Sequence, residues 1–217
     1  MNHESRNPQN IWDEYTEWFH STNVWKGMSY HGIRTLKFPS DAWNYQEIIF
    51  ERGIDFVVET GTRHGGSALF FADTLKARNA SGFVVTIDID SESRQVAAHE
   101  SIRFLLGDSG SPEAVAVVRK LLPAQRGPLF LILDSDHTKA HVLRELEVWV
   151  PSLQRGDYLV VEDTIVNGRP VRPNFGPGPW EAIMDYREHN PGQLWHDKAR
   201  ETKFGTTAAP NGYYVKL

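Results

Sequence analysis

Two apolar runs in this 217-residue chain each end in acids. Leu129-Phe130-Leu131-Ile132-Leu133 leads into Asp134-Ser135-Asp136-His137, and Tyr158-Leu159-Val160-Val161 leads into Glu162-Asp163. Unbroken apolar runs of this length suit strands of a parallel sheet, buried on both faces. Neighbouring strands lie roughly 4.8 Å apart. If these two pair, Asp134, Glu162 and Asp163 converge at the carboxyl edge of the sheet, where open α/β sheets bind ligands. Three carboxylates so close repel one another unless a cation neutralises them, and an all-oxygen donor set suits a hard cation such as Mg²⁺.

The surrounding pattern fixes the fold class. From Phe56 the chain alternates: strand to Val58, helix near Ser67–Lys76, strand to Ile87, short helix near Ser91–His99, strand to Leu106, helix near Glu113–Leu122, strand to Leu133, helix Thr138–Val150, strand to Val161. Such alternation predicts an α/β domain with a doubly wound, mostly parallel sheet. Trp180–His189 reads as a further helix, and Phe204–Leu217 as a terminal antiparallel hairpin turning at Asn211-Gly212. Upstream, Ile11, Trp12, Tyr15, Trp18 and Phe19 share one side of a helix, and Asp41–Phe50 reads as another, with Asp41 as N-cap and Trp43, Ile48 and Ile49 facing in. Residues 1–50 are therefore expected to form a polar tail, frayed over residues 1–10, and helices that cover substrate, and residues 51–217 the main domain. The stretch 164–179 holds too many prolines and glycines for a helix or central strand. Because it leaves directly from Glu162-Asp163, it is expected to be a hinged lid.

Composition narrows the partners. A net charge of −5 gives no general attraction to nucleic acid or an anionic membrane, and no run approaches transmembrane length. The chain has no cysteine, which excludes disulfides and thiolate metal sites and fits a reducing cytoplasm. The opening residues lack the apolar core of a signal peptide.

A second signature precedes the acids. Phe56-Val57-Val58 leads into Glu59-Thr60-Gly61-Thr62-Arg63-His64-Gly65-Gly66-Ser67, a strand, a glycine-rich turn and the start of a helix. Neither the dinucleotide pattern G-x-G-x-x-G nor a Walker Gly-Lys-Ser/Thr is present. E-x-G-x-x-x-G-G resembles the first motif of S-adenosylmethionine-dependent methyltransferases. The next strand ends at Asp88, suited to accept hydrogen bonds from both ribose hydroxyls, and the following one at Asp108-Ser109, suited to receive an adenine amino group. Read alone, Asp88 is equally a helix cap and Asp108 a turn residue.

Together with Leu36-Lys37-Phe38-Pro39-Ser40-Asp41, Tyr45-Gln46-Glu47-Ile48-Ile49 and Val161-Glu162-Asp163-Thr164, these stretches resemble the family of cephalosporin hydroxylases and rhamnosyl O-methyltransferases. The resemblance runs from about Trp25 to the C-terminus. It implies a Rossmann-like class I methyltransferase fold with an N-terminal helical lid, and a homo-oligomer. S-adenosylmethionine would be held by Glu59, Gly61, Thr62, Gly65, Ser67, Asp88, Asp108 and Ser109, and Mg²⁺ by Asp134, Glu162 and Asp163. The site is also similar to that of macrolide sugar O-methyltransferases, whose base lies three residues after the first metal acid, here His137. The reaction implied is O-methylation of a small hydroxylated molecule, a sugar or glycosylated natural product, with Asp134 and His137 as catalytic residues. A helix beginning near Thr138 and a nearby Mg²⁺ both disfavour the imidazolium, which predicts an apparent His137 pKa near or below about 6.5.

Other readings compete. His137 and His141 are spaced i, i+4, which with Asp134 makes a zinc hydrolase conceivable, although H-E-x-x-H is absent and Glu162-Asp163 would have no role. Gly107-Asp108-Ser109-Gly110 and Ala97-Ala98-His99 echo serine-protease motifs by chance. No H-x-D or H-x-E supports an iron hydroxylase. A non-catalytic S-adenosylmethionine-binding protein shares the binding motifs, and the acid trio with His137 argues against it.

Overall fold

The computed structural model describes residues 8–217. The frayed start expected at residues 1–10 falls mostly on residues 1–7, outside the described residues. Seven strands form one sheet in the order β5 (Ile102–Leu106), β4 (Val84–Asp88), β3 (Phe56–Thr60), β6 (Leu129–Leu133), β7 (Tyr158–Val161), β9 (Tyr213–Lys216) and β8 (Leu194–His196). Strands β3 to β7 run parallel, and β9 lies antiparallel between β7 and β8. The strand order reverses between β3 and β6. That is the switch point at which the loops leaving two neighbouring strands diverge and open a crevice.

β3, β6 and β7 are buried at every position, which explains their unbroken apolar runs. Alternate residues serve opposite layers. Val58, Leu131, Leu133, Leu159 and Val161 face Val142, Leu146 and Trp149 of α5 (Lys139–Trp149) and Ile183 of α6 (Pro179–His189). Val57, Phe130, Ile132 and Val160 face Phe71 and Leu75 of α3 (Gly66–Ala77) and Tyr45, Ile48 and Ile49 of α2 (Pro39–Glu51). Truncating a fully buried leucine such as Leu131 to alanine would cost about 2–5 kcal/mol, because the sheet on both sides prevents collapse into the void.

The helices of the first fifty residues are held differently. α2 belongs to the main core. It begins at Pro39 rather than at a capping Asp41, because proline presets the first helical turn. Asp41 is instead buried in that turn, where it accepts hydrogen bonds from the Tyr213 hydroxyl (2.6 Å) and the Ala208 amide (2.7 Å). Trp43 lies on the face opposite Tyr45 and is 60% exposed, contrary to the inward placement expected. α1 (Pro8–Ser21) contributes Phe19, with Tyr15 packed beside it, to a small third cluster with Phe38, Ile165, Val166, Val171 and Ala208, and leaves Ile11 and Trp18 exposed. Between these helices, β1 (Ser29–Tyr30) and β2 (Ile33–Arg34) form a separate two-stranded hairpin.

Three expected elements differ. No helix forms over Ser91–His99: the Asp90 carboxylate takes the Glu92 amide (2.7 Å) and the Ser93 hydroxyl (3.0 Å), a local turn that competes with helix initiation. The segment then crosses to the glycine-rich turn, donating from the Gln95 amide to the His64 carbonyl (3.0 Å). The antiparallel partner of β9 is Leu194–His196, not residues just upstream of Asn211-Gly212. Thr207 and Ala208 are tied to Asp41 and cannot pair as a strand. The 164–179 stretch is a folded strap rather than a structureless lid. The Arg169 and Val171 amides both bond the Ile165 carbonyl, and Ile165, Val166 and Val171 are buried against Phe19 and Phe38.

Among the described residues, no helix is long and apolar enough to cross a membrane.

Candidate active site

A cavity of about 690 Å³ opens at the switch point. One wall is the turn after β3 together with the end of β4. Gly61 takes φ +84°, and a Cβ there would be driven into the Asp134 carbonyl oxygen. A Cβ on Gly66 would likewise collide with the Arg34 carbonyl. The glycines are thus demanded by the protein's own backbone, which passes close on both sides of the turn. Asp88 ends β4 with its carboxylate accepting from the amides of Arg63 (2.7 Å) and Asp90 (3.0 Å). Gly61, Thr62, Gly65, Ser67, Asp88 and Ser109 all line the cavity. Glu59 and Asp108 do not. Glu59 is fully buried and accepts from the Thr86 hydroxyl (2.9 Å), and Asp108 folds back on the Gly110 amide (2.9 Å) as a turn residue.

The floor is made by the ends of β6 and β7. Leu133 pairs with Val161, so Asp134 and Glu162 emerge side by side. Asp163 adopts φ +52°, a left-handed conformation that aspartate tolerates better than most residues. His137 stands between the acids: Nε2 is 3.2 Å from Asp134 Oδ1 and Nδ1 is 3.1 Å from Asp163 Oδ2. Asp134, His137 and Asp163 present ligand atoms within 4.8 Å of one another. Glu162, expected as a metal ligand with Asp134 and Asp163, lines the same cavity and is held through one oxygen. Its Oε1 accepts from Lys37 Nζ (2.7 Å) and the Tyr45 hydroxyl (3.0 Å).

Lys37 is the functional residue that the sequence reading did not assign. It is 3% exposed, and its ammonium also bonds Asp134 Oδ2 (2.5 Å) and lies 3.7 Å from Glu59 Oε1. The cation expected among the strand-end acids is therefore in part a lysine of the chain itself. A lone charge inside the apolar stretch Leu36-Lys37-Phe38-Pro39, facing an excess of buried acids, was the signal that could have found it.

The charges shape one another. Burial opposes the Lys37 ammonium, but Asp134, Glu162 and Glu59 overcome it and hold the pKa well above the ordinary lysine value. Burial and the adjacent Asp134 charge push the Glu162 carboxyl well above the usual range, against Lys37. Asp134 resists burial because Lys37 and His137 favour its anion, and it lies below its usual value. Burial also opposes the His137 imidazolium, yet Asp163 and Asp134 push it up to about 9. The expectation set the helix end and a divalent cation against the imidazolium; of these, the helix's partial charge is outweighed here by two carboxylates in direct contact.

His141 does not join Asp134 and His137. Its Nε2 lies 3.3 Å from Ser109 Oγ and 3.4 Å from Glu145 Oε1, so the Asp134-His137-His141 zinc set is not assembled. Nor is this trio a serine-protease triad. Ser109 Oγ donates directly to Glu145 (2.6 Å), and the histidine does not stand between them.

The model of the rhamnosyl O-methyltransferase/CmcI family matches residues 22–217. The chain belongs to this family. The rhamnosyl O-methyltransferase of Mycobacterium leprae (strain TN) is 43% identical over 212 residues, covering 97% of this chain and 93% of its own. That of Mycobacterium tuberculosis (strain ATCC 25618 / H37Rv) is 42% identical over 206 residues, covering 94% and 84%. A solved structure of CmcI with Mg and SAM superposes with a TM-score of 0.70 at 23% identity, over 88% of this chain and 77% of that one, and so shares the fold. The class I methyltransferase architecture expected from the sequence is thus the one observed, and the chain is a member of the rhamnosyl O-methyltransferase/CmcI family throughout its sheet.

Proposed function

We propose that the protein is an S-adenosylmethionine- and Mg²⁺-dependent O-methyltransferase that acts on a sugar hydroxyl of a small glycosylated molecule. The observation that carries this reading is the meeting, in one cavity, of the glycine-rich turn and Asp88 with Asp134, His137 and Asp163. The residues present fit both groups. The cavity volume falls within the range of small-molecule sites, and Asp88 offers carboxylate oxygens at the wall where a ribose would lie. Asp134 and Asp163 share His137 between them, with Lys37 behind Asp134, and their ligand atoms and those of His137 lie within 4.8 Å of one another, close enough to be taken by one ion.

When bound, the cation supplies Lewis-acid stabilisation of an alkoxide, and the cofactor supplies an electrophilic methyl group. Asp134 and Asp163 hold the cation, with Glu162 beside them. His137 accepts the hydroxyl proton on the ring nitrogen that it frees from a carboxylate, while the other nitrogen keeps its carboxylate bond and fixes the ring. For this it must be neutral, a state that a cation held by Asp134 and Asp163 would favour by supplying the positive charge those acids now draw from its ring. Phe19, Trp25 and Arg172 also line the cavity and would offer apolar faces and guanidinium donors to a sugar ring. Rhamnosyl acceptors are favoured because the relatives at 42–43% identity carry that name.

The deciding experiment offers rhamnosides, other deoxysugar glycosides and catechols with methyl-labelled cofactor and reads products by mass spectrometry. Transfer to a rhamnoside that stops in excess chelator and returns with Mg²⁺ is expected. Full transfer in chelator would sink the cation role, and exclusive methylation of catechols would sink the sugar acceptor.

A further inference from the structure

The search for groups that the chemistry leaves unexplained ends at Lys37. We propose that Lys37 is a positioning residue for the cation site: it takes the inner oxygens of Asp134 and Glu162 and so commits their remaining oxygens to the cavity. The inference rests on the reading that this site takes a divalent cation.

The oxygens are divided by role. Lys37 Nζ bonds Asp134 Oδ2 at 2.5 Å, whereas Asp134 Oδ1 is the oxygen that faces His137 at 3.2 Å. Lys37 and Tyr45 both donate to Glu162 Oε1, at 2.7 and 3.0 Å, and Oε2 carries neither bond. Each carboxylate is thus pinned through one oxygen, which removes rotation about its terminal bond. Donors of this kind behind metal ligands raise metal affinity by fixing ligand orientation. A lysine suits the task because its ammonium is compact and its three donors can serve several acceptors at once.

The segment that carries Lys37 is itself fixed at both ends. Phe38 is buried in the third apolar cluster and Pro39 starts α2. Arg34 and Thr35 press against Gly66 of the cofactor turn. The ammonium is therefore carried on a backbone held at both ends, and its own bonds to Asp134 and Glu162 fix where it sits.

The test is calorimetric titration of Mg²⁺ into the protein saturated with S-adenosylhomocysteine, for wild type, Lys37→Met and Tyr45→Phe. Lys37→Met should weaken Mg²⁺ binding by roughly 10–100-fold. Its S-adenosylhomocysteine affinity measured in chelator should stay within about threefold, a split that general loss of structure would not give. Tyr45→Phe removes one of two donors to Glu162 Oε1 and should weaken Mg²⁺ by about threefold, a loss below 1 kcal/mol. Unchanged or tighter Mg²⁺ binding by Lys37→Met would overturn the proposal while leaving the cation reading intact. Wild type that binds no Mg²⁺ would overturn both. If Lys37→Met fails to fold, Tyr45→Phe decides: full Mg²⁺ affinity there means that these inner bonds do not orient Glu162.

Discussion

Asp88 and Asp134 both follow buried strands of the same sheet, two strands apart, yet they live in different electrostatic worlds. Asp88 is half-buried, and its carboxylate accepts from the backbone amides of Arg63 and Asp90. Asp134 is bonded to a buried lysine and faces a histidine. The difference comes from what passes over each strand end. An irregular crossover and the glycine turn border β4, whereas the Lys37 segment and His137 close over β6. The same topological position thus becomes a neutral recognition edge on one side of the switch point and a charge-handling floor on the other. Asp41 extends the comparison, being a third carboxylate, fully buried, with neutral donors in place of a lysine.

The sharpest way to break this contrast is Asp134→Ala. Methyl transfer should fall by on the order of 10³-fold, while S-adenosylhomocysteine affinity stays within about threefold. Equal loss of both would mean that the two edges are one functional unit. Next, His137→Ala should lower kcat by roughly 10²–10⁴-fold with a smaller change in KM, and His141→Ala by no more than a few-fold. A dead His141→Ala beside an active His137→Ala would move the base to the Ser109 side.

Asp41 supplies the pH arm. Burial drives its pKa from 3.8 up to about 6, against hydrogen bonds from Thr207, Tyr213 and Ala208 that favour the anion. A raised carboxyl pKa means that the native state holds this proton more tightly than the unfolded chain. Its contribution to stability is therefore present below pH 3.8 and lost as pH rises through 6. Relative to Asp41→Asn, wild type should lose about 3 kcal/mol between pH 3.8 and pH 7, read from urea unfolding at the two values. A difference that does not change with pH would show Asp41 to be as well compensated as Asp134. The smallest effect belongs to the recognition edge. Asp88→Ala should weaken S-adenosylhomocysteine by about 10- to 100-fold and leave kcat at saturating cofactor nearly unchanged, as equilibrium binding and steady-state rates would report.

What the sequence made legible follows from the range of the interactions. The buried strands and their terminal acids are written in contiguous residues, and the parallel sheet brought Asp134, Glu162 and Asp163 to one edge as expected. Lys37 is a different matter. Its partners Asp134 and Glu162 lie 97 and 125 residues away, so the lone charge in the apolar stretch Leu36-Lys37-Phe38-Pro39 hints at burial but does not say which acids receive it. The Ser91–His99 segment misled because its polar spacing suits a helix, while Asp90 satisfies the amides that would start one. β8 escaped because three residues at a sheet edge, with Trp195 half exposed, carry no alternation to read. Asn211-Gly212 is a genuine turn, with Asn211 at φ +52°, but it feeds β9 from a segment tethered to Asp41 rather than from a paired strand.

Gly61 has a wider consequence. Because its missing side chain lets the turn rest on the Asp134 carbonyl, main chain abuts main chain between the donor and acceptor halves. On the reading proposed for the site, the span that a methyl group must cross would be gauged by these two peptide units rather than by a rotatable side chain. Substrate preference could then drift through Phe19, Trp25 and Arg172, which line the same cavity, without disturbing that gauge. Any side chain at position 61 would act as a wedge and lengthen the span for every acceptor alike.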